Sequence, residues 1–195
     1  METNESVTQE AQAAPERIGF GKRLGAYLLD IVIAGAGGFA IGIFAGTALA
    51  ALFFATEARA GEGMEEADAM AGGMAGIIGG FAGTLAGMML IFLIIMLMEA
   101  FTGQTFGKMI LGIKNGNNDG SAAGMGALLT RAGLKYIYTI MAVLAGITGV
   151  ELLGTIGSIA GLIVFIGMFF VLGEKKQGFH DMLAKTAVYN KSDLA

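Results

Sequence analysis

FGKRLGAYLLDIVI, Phe20 to Ile33, decides the fold class. Arg23 stands at the edge of a long apolar run and Asp30 stands inside it. The same pattern continues outward from this stretch: long uncharged runs, with charges crowded into the short segments between them. A bilayer core needs about 20 apolar residues per helical crossing. The chain has 195 residues, 55% of them hydrophobic and 14% charged, and its mean hydropathy is +0.70. A soluble domain carries about 25% charged residues, so the composition reads as an all-α integral membrane protein with several crossings. Glycine is abundant at 33 residues, proline occurs once, at Pro15, and cysteine is absent. In lipid the backbone must satisfy its own hydrogen bonds, so helices persist despite glycine, and glycine lets them approach closely. The lack of cysteine excludes disulfides, thiol catalysis and Cys-based metal sites.

Four apolar spans emerge, at about 24–56, 74–98, 127–147 and 152–172. The first is longer than one crossing needs, so it tilts or extends beyond the bilayer. Every lysine and arginine except Arg59 falls in the N-terminal flank, in the segment joining spans two and three with the start of span three, or in the C-terminal tail. Arg59 lies in the first loop among Glu57, Glu62, Glu65, Glu66 and Asp68. Four transmembrane helices with both termini cytoplasmic put all the other basic residues on one side, as the positive-inside rule expects. Residues 1–17 read as a disordered acidic tail, 18–190 as the membrane domain and 191–195 as a C-terminal tail. Between spans two and three, MILGIK reads as a short cytoplasmic interfacial or β-like piece and NGNNDG as a turn, because Asn, Asp and Gly tolerate positive φ. KTAVYN, in the tail, is strand-like and is expected to pair with MILGIK.

Glycines recur at spacing four: Gly38, Gly42 and Gly46 in span one, Gly76 and Gly80 in span two, with Gly83 and Gly87 on a neighbouring stripe. Such spacing puts small residues on one helix face. Packing within the bundle is the plain reading, and a homo-oligomer interface is the functional one. GQTFGK, Gly103 to Lys108, is one residue too short between its glycines for a phosphate loop, and Met109 follows the lysine where Ser or Thr is needed. A calcium loop starting at Asn115 fails because Gly126 stands where its closing Glu belongs. His180 is the single histidine and reads as a packed side chain. No nucleophile–base pair or metal motif is present in the sequence, so no enzyme, cofactor or metal is expected. Expected partners are the lipid bilayer, a second copy of the chain and a cation or small solute, with no nucleic acid.

The charges beside the spans carry the remaining information. Glu99 and Glu151 fall at span ends and read as solvated caps. Arg131 and Lys135, one turn apart on one face, read as interfacial anchors. Asp30 lies about 9 Å into span one at 1.5 Å per residue. An aspartate at the centre of a membrane helix costs about 2.5–3.5 kcal/mol, less near the edge, so it is expected to face protein or water and to have a partner. Arg23, close to two turns earlier, shares its face.

RLGAYLLD (Arg23 to Asp30), GQTFGKMILGIKNGNNDG (Gly103 to Gly120) and QGFHDMLAKTAV (Gln177 to Val188), in this order, resemble the three blocks of the RDD family of membrane proteins. The resemblance implies a functional charged cluster of Arg23, Asp30 and Asp181, with Gly103, Thr105, Gly107, Lys108, Arg131 and His180 supporting it. Cation–proton exchange has been proposed for some members of that family. The expected function is therefore a small transporter in the bacterial inner membrane, for a cation, proton or small solute, using a shallow cytoplasmic-side Arg/Asp/Asp site. The alternative is a non-transporting membrane scaffold in which the cluster is a structural clamp. Polar residues for a deeper path are few, chiefly Thr47, Thr84, Thr139 and Ser158.

Overall fold

The computed structural model describes residues 15–60 and 66–194, with only the backbone for 57–60 and 66–68. The tail before Pro15, the tip of the first loop at 61–65 and Ala195 lie outside the described residues. The chain runs α1 (Phe20–Ala60), α2 (Glu66–Thr102), α3 (Phe106–Ile110), β1 (Ile113–Asn117), α4 (Met125–Lys135), α5 (Ile137–Thr148) and α6 (Glu151–Met168). A 3-10 turn at Phe169–Leu172, α7 (Phe179–Leu183), β2 (Thr186–Asn190) and a second 3-10 turn at Lys191–Asp193 complete it.

Three helical segments are long and apolar enough to cross a membrane: Phe20–Thr56 with 37 residues, Ala69–Thr102 with 34 and Glu151–Leu172 with 22. At 1.5 Å per residue the first two reach about 55 and 50 Å, well past a hydrocarbon core of about 30 Å. The third expected span is not one straight helix. α4 and α5 meet at an angle of 71°, and they make a fourth crossing only if the bent pair counts as one span. Gly133 lies in the last turn of α4, just before the bend, and Arg131 and Lys135 of the same helix turn inward to a carboxylate on α2.

Two helical hairpins result, α1 against α2 and α5 against α6. In lipid no hydrophobic force drives helix on helix, so close van der Waals contact must do so. The α1–α2 seam is accordingly a line of glycines. A Cβ added at Gly42 would lie 2.6 Å from the Gly80 carbonyl oxygen, and one at Gly46 would lie 2.7 Å from that of Gly76. At Gly87 it would meet the Gly38 Cα at 3.0 Å. The second hairpin repeats the device once, with Gly161 on Tyr138 and Gly157 on Met141. The spacing-four stripes thus pack within the chain.

β1 and β2 form a two-stranded antiparallel sheet, with Ile113 opposite Asn190 and Asn117 opposite Thr186. Ala26 of α1, Ile113 and Val188 form a small core beneath it, flanked by Ile18 and Leu111. The domain starts earlier than the sequence suggested, because Arg17 bridges to Tyr189 and the Ile18 amide donates to the Val188 carbonyl at 2.7 Å. It also ends later, since the Lys191 amide donates to the Gly112 carbonyl at 2.8 Å.

Candidate functional site

The three sequence blocks converge where α1, α2, α3, α4 and α7 meet. α2 ends at a left-handed glycine, Gly103 (φ +71), which turns the chain so that Thr105 caps α3. The Thr105 side chain accepts from the Lys108 amide at 3.2 Å. Gly107 lies against the main chain of α1, where a Cβ would overlap the Ala26 carbonyl. That contact explains Gly107, since any side chain there would strike the main chain of α1. Asp30, one turn along α1, accepts from the Gly107 amide at 2.7 Å. The first turn of a helix has free N–H groups that favour a carboxylate, so Asp30 docks α3 on α1.

Asp30 therefore does not pair with Arg23, as its place on the same face suggested. The Arg23 guanidinium instead reaches Asp181 (2.5 Å), the Lys176 carbonyl (2.7 Å) and the Ile18 carbonyl (3.0 Å). Asp181 sits in the first turn of α7, fully buried, and also accepts from the Gly178 amide at 3.2 Å. The residue that bridges two carboxylates is Arg131: its Nε donates to Asp181 at 2.7 Å and its Nη1 to Glu99 at 2.6 Å.

Glu99 is the hub that the sequence reading missed. It is 1% exposed rather than solvated. It accepts from Lys108, from Arg131, from Lys135 at 2.5 Å and from the Tyr136 hydroxyl at 2.8 Å. Arg131 is consequently no surface anchor, and the face of α4 that it shares with Lys135 looks at this carboxylate. That inward basic pair, with no acid assigned to it, was the available signal. The other expected cap, Glu151, does open α6. Lys108 also donates to Asn115 Oδ1 at 2.9 Å, which places the buried asparagine of β1 in the network. Gln177 fastens the tail by donating to the Thr186 carbonyl and Asn118, each at 2.6 Å, while accepting from Arg17 at 2.9 Å.

Four cations, Arg23, Lys108, Arg131 and Lys135, thus surround two carboxylates. Burial pulls the Lys108 ammonium down to about 7 despite Glu99, and Arg131 and Lys135 add to the fall. Burial alone would raise Asp181, but Arg131, His180 and Arg23 outweigh it and hold the carboxyl well below its ordinary value. Burial lowers His180 as well, against the pull of Asp181. Its Nε2 lies 3.3 Å from Asp181, and its Nδ1 has no partner among the described residues. Among the described residues no cluster of His, Asp and Glu has the makings of a metal site.

The sequence pattern of the RDD family matches residues 17–185. The chain belongs to the RDD family. Its apolar helices fit an integral membrane protein, as that membership expects. Comparison with curated proteins and with solved structures finds no match. Within this RDD protein the blocks divide their work. The first supplies Arg23, Ala26 and Asp30, the second the Gly103–Lys108 docking turn, and the third Gln177 and Asp181.

Proposed function

We propose that this RDD protein is a non-enzymatic scaffold of the bacterial inner membrane, with four crossings and both ends cytoplasmic. Its ion network acts as a clamp that fixes two helical hairpins to a cytoplasmic cap made of α3, α7 and the strand pair. One observation carries this reading: each oxygen of Glu99 and Asp181 already accepts from a cation. A site with four cations on two carboxylates has no oxygen free for a metal ion. Three of the four intramembrane hydroxyls support the same reading: Thr47, Thr84 and Ser158 donate back to their own helices, to Ile43, Gly80 and Gly154. Buried ion networks of this kind serve geometry better than they serve stability.

Transport coupled to protons is the second reading, and Lys108 favours it: a buried amine lowered to about 7 gains and loses a proton near neutrality beside Glu99. Flux into proteoliposomes, measured for a panel of cations with and without a pH gradient, separates the two. The scaffold reading expects no flux above empty vesicles. A proton-driven flux that disappears in folded Lys108→Met would replace it with transport.

A further inference from the structure

Beside the network, between the two hairpins, runs a groove of about 530 Å³. α1 contributes Tyr27, the end of α4 contributes Lys135, and α6 contributes Ser158, Leu162, Phe165 and Met168. We propose that this groove holds an anionic phospholipid, with the headgroup phosphate on Lys135 and an acyl chain laid along α6. The inference rests on the chain being embedded in a membrane and not on the clamp.

Charge argues for the headgroup. Of the cations in the site, Lys135 is the one placed to meet an anion. Its side chain is 20% exposed, while that of Arg131 is 3% exposed. A lysine ammonium has three donors, and among the described residues Glu99 is its hydrogen-bonding acceptor. Position agrees. Lys135 sits at the elbow where amphipathic α4 gives way to apolar α5, the depth at which basic residues meet lipid phosphates. The rest of the groove argues for the chain. From Ser158 to Met168 it follows α6 for about 15 Å, with exposed Leu162 and Phe165 along it. A free phosphate would make no use of that apolar trough.

The test is native mass spectrometry on the delipidated full chain in detergent, titrated with phosphatidylglycerol or with phosphatidylcholine of the same acyl chains. The wild type is expected to bind phosphatidylglycerol about tenfold more tightly, the weight of one charge-assisted hydrogen bond. Lys135→Gln should erase that preference. Leu162→Trp, a change at an exposed position away from the ion network, should weaken both lipids by filling the trough, and it carries the test if Lys135→Gln does not fold. Equal affinity for the two lipids in the wild type overturns the proposal, as does a preference intact in folded Lys135→Gln. Inorganic phosphate displacing phosphatidylglycerol at equal concentration also overturns it, because the trough would then contribute nothing. A delipidated dimer that Leu162→Trp returns to monomer would make a second copy the occupant and overturn it too.

Discussion

Along the middle of α1, Gly38, Gly42 and Gly46 bring backbone against backbone with α2, the next helix in the chain. At the start of the same helix, Arg23 and Asp30 reach Asp181 and Gly107, which lie 158 and 77 positions away. The first region is built by removing side chains, the second by burying charged ones. Lipid accounts for the division: deep in the bilayer close contact is the available attraction, and an ionisable group there is costly without partners. Charges are therefore gathered at one end, where they can tie distant segments together. The glycine seam has no side chains to lose and is threatened by added bulk, since a Cβ at Gly42 or Gly46 would meet main-chain atoms of α2. The ion network ought to fail sharply when its balance of charge is disturbed.

The largest expected effect is at Glu99. Removing its charge leaves Lys108, Arg131 and Lys135 buried around a neutral side chain, and breaking a buried pair costs about 3–5 kcal/mol. Glu99→Gln should lower the melting temperature in detergent more than any other single change in the network. Adding Lys108→Met should restore part of the loss, since it removes one of the stranded cations. A double variant no more stable than Glu99→Gln would mean the four contacts to Glu99 are not energetically coupled.

Next comes the seam. Leucine at Gly42 would drive its Cβ into the Gly80 carbonyl, and overpacking of this kind costs about 1–3 kcal/mol. Gly42→Leu should lower the melting temperature while leaving the mass of the particle in detergent unchanged, because the stripe is used inside the chain. A shift from dimer to monomer would reassign the stripe to an interface between copies.

A smaller effect is expected at Asp30. Asp30→Asn keeps an oxygen for the Gly107 amide and loses the charge, a cost of about 1 kcal/mol for weakening a charge-assisted bond. Arg23 and Asp30 have separate partners, so the Asp30→Asn and Arg23→Gln losses should add within about 0.5 kcal/mol. A strongly non-additive double variant, read from chemical denaturation in detergent, would restore the direct pair that the sequence suggested.

These residues also show how far the sequence could be read. Long uncharged runs specify crossings by themselves, so α1, α2 and α6 were legible from hydropathy. The bend between α4 and α5 was not, because the acid that Arg131 turns toward is Glu99 on α2, 32 positions before it. The family resemblance brought Arg23, Asp30 and Asp181 into view together, but spacing along a helix cannot say which partner from another element arrives first. Arg23 and Asp30 share a face of α1, and each is claimed by a different segment. Glu99 was misread for the same reason: at the end of an apolar run a carboxylate faces water unless three cations from elsewhere converge on it.

The last effect is one of pH, spread over several units, and it sharpens the contrast because the glycine seam has nothing to titrate. Lys108 is lowered from 10.5 to about 7 in the folded protein. Between those values the unfolded chain holds a proton there that the folded chain does not, so stability must rise with pH across that window, at most by about 1.4 kcal/mol per pH unit. Below about 7 both states are protonated and this slope vanishes. Asp181, held well below its ordinary value, stays ionised throughout the window and adds no slope. Its stabilisation is lost only in acid, as pH falls through its folded value. His180, lowered by burial, is already neutral above 7 and is silent too. Chemical denaturation in detergent at pH 7, 8 and 9 should therefore show wild-type stability rising by about 1 kcal/mol per unit, and Lys108→Met should flatten the rise while keeping the side chain's bulk. A flat wild-type profile would mean that the pull of Glu99 overcomes burial and keeps Lys108 charged. The network would then hold its full set of cations at every pH tested, which would remove the observation that favours proton-coupled transport.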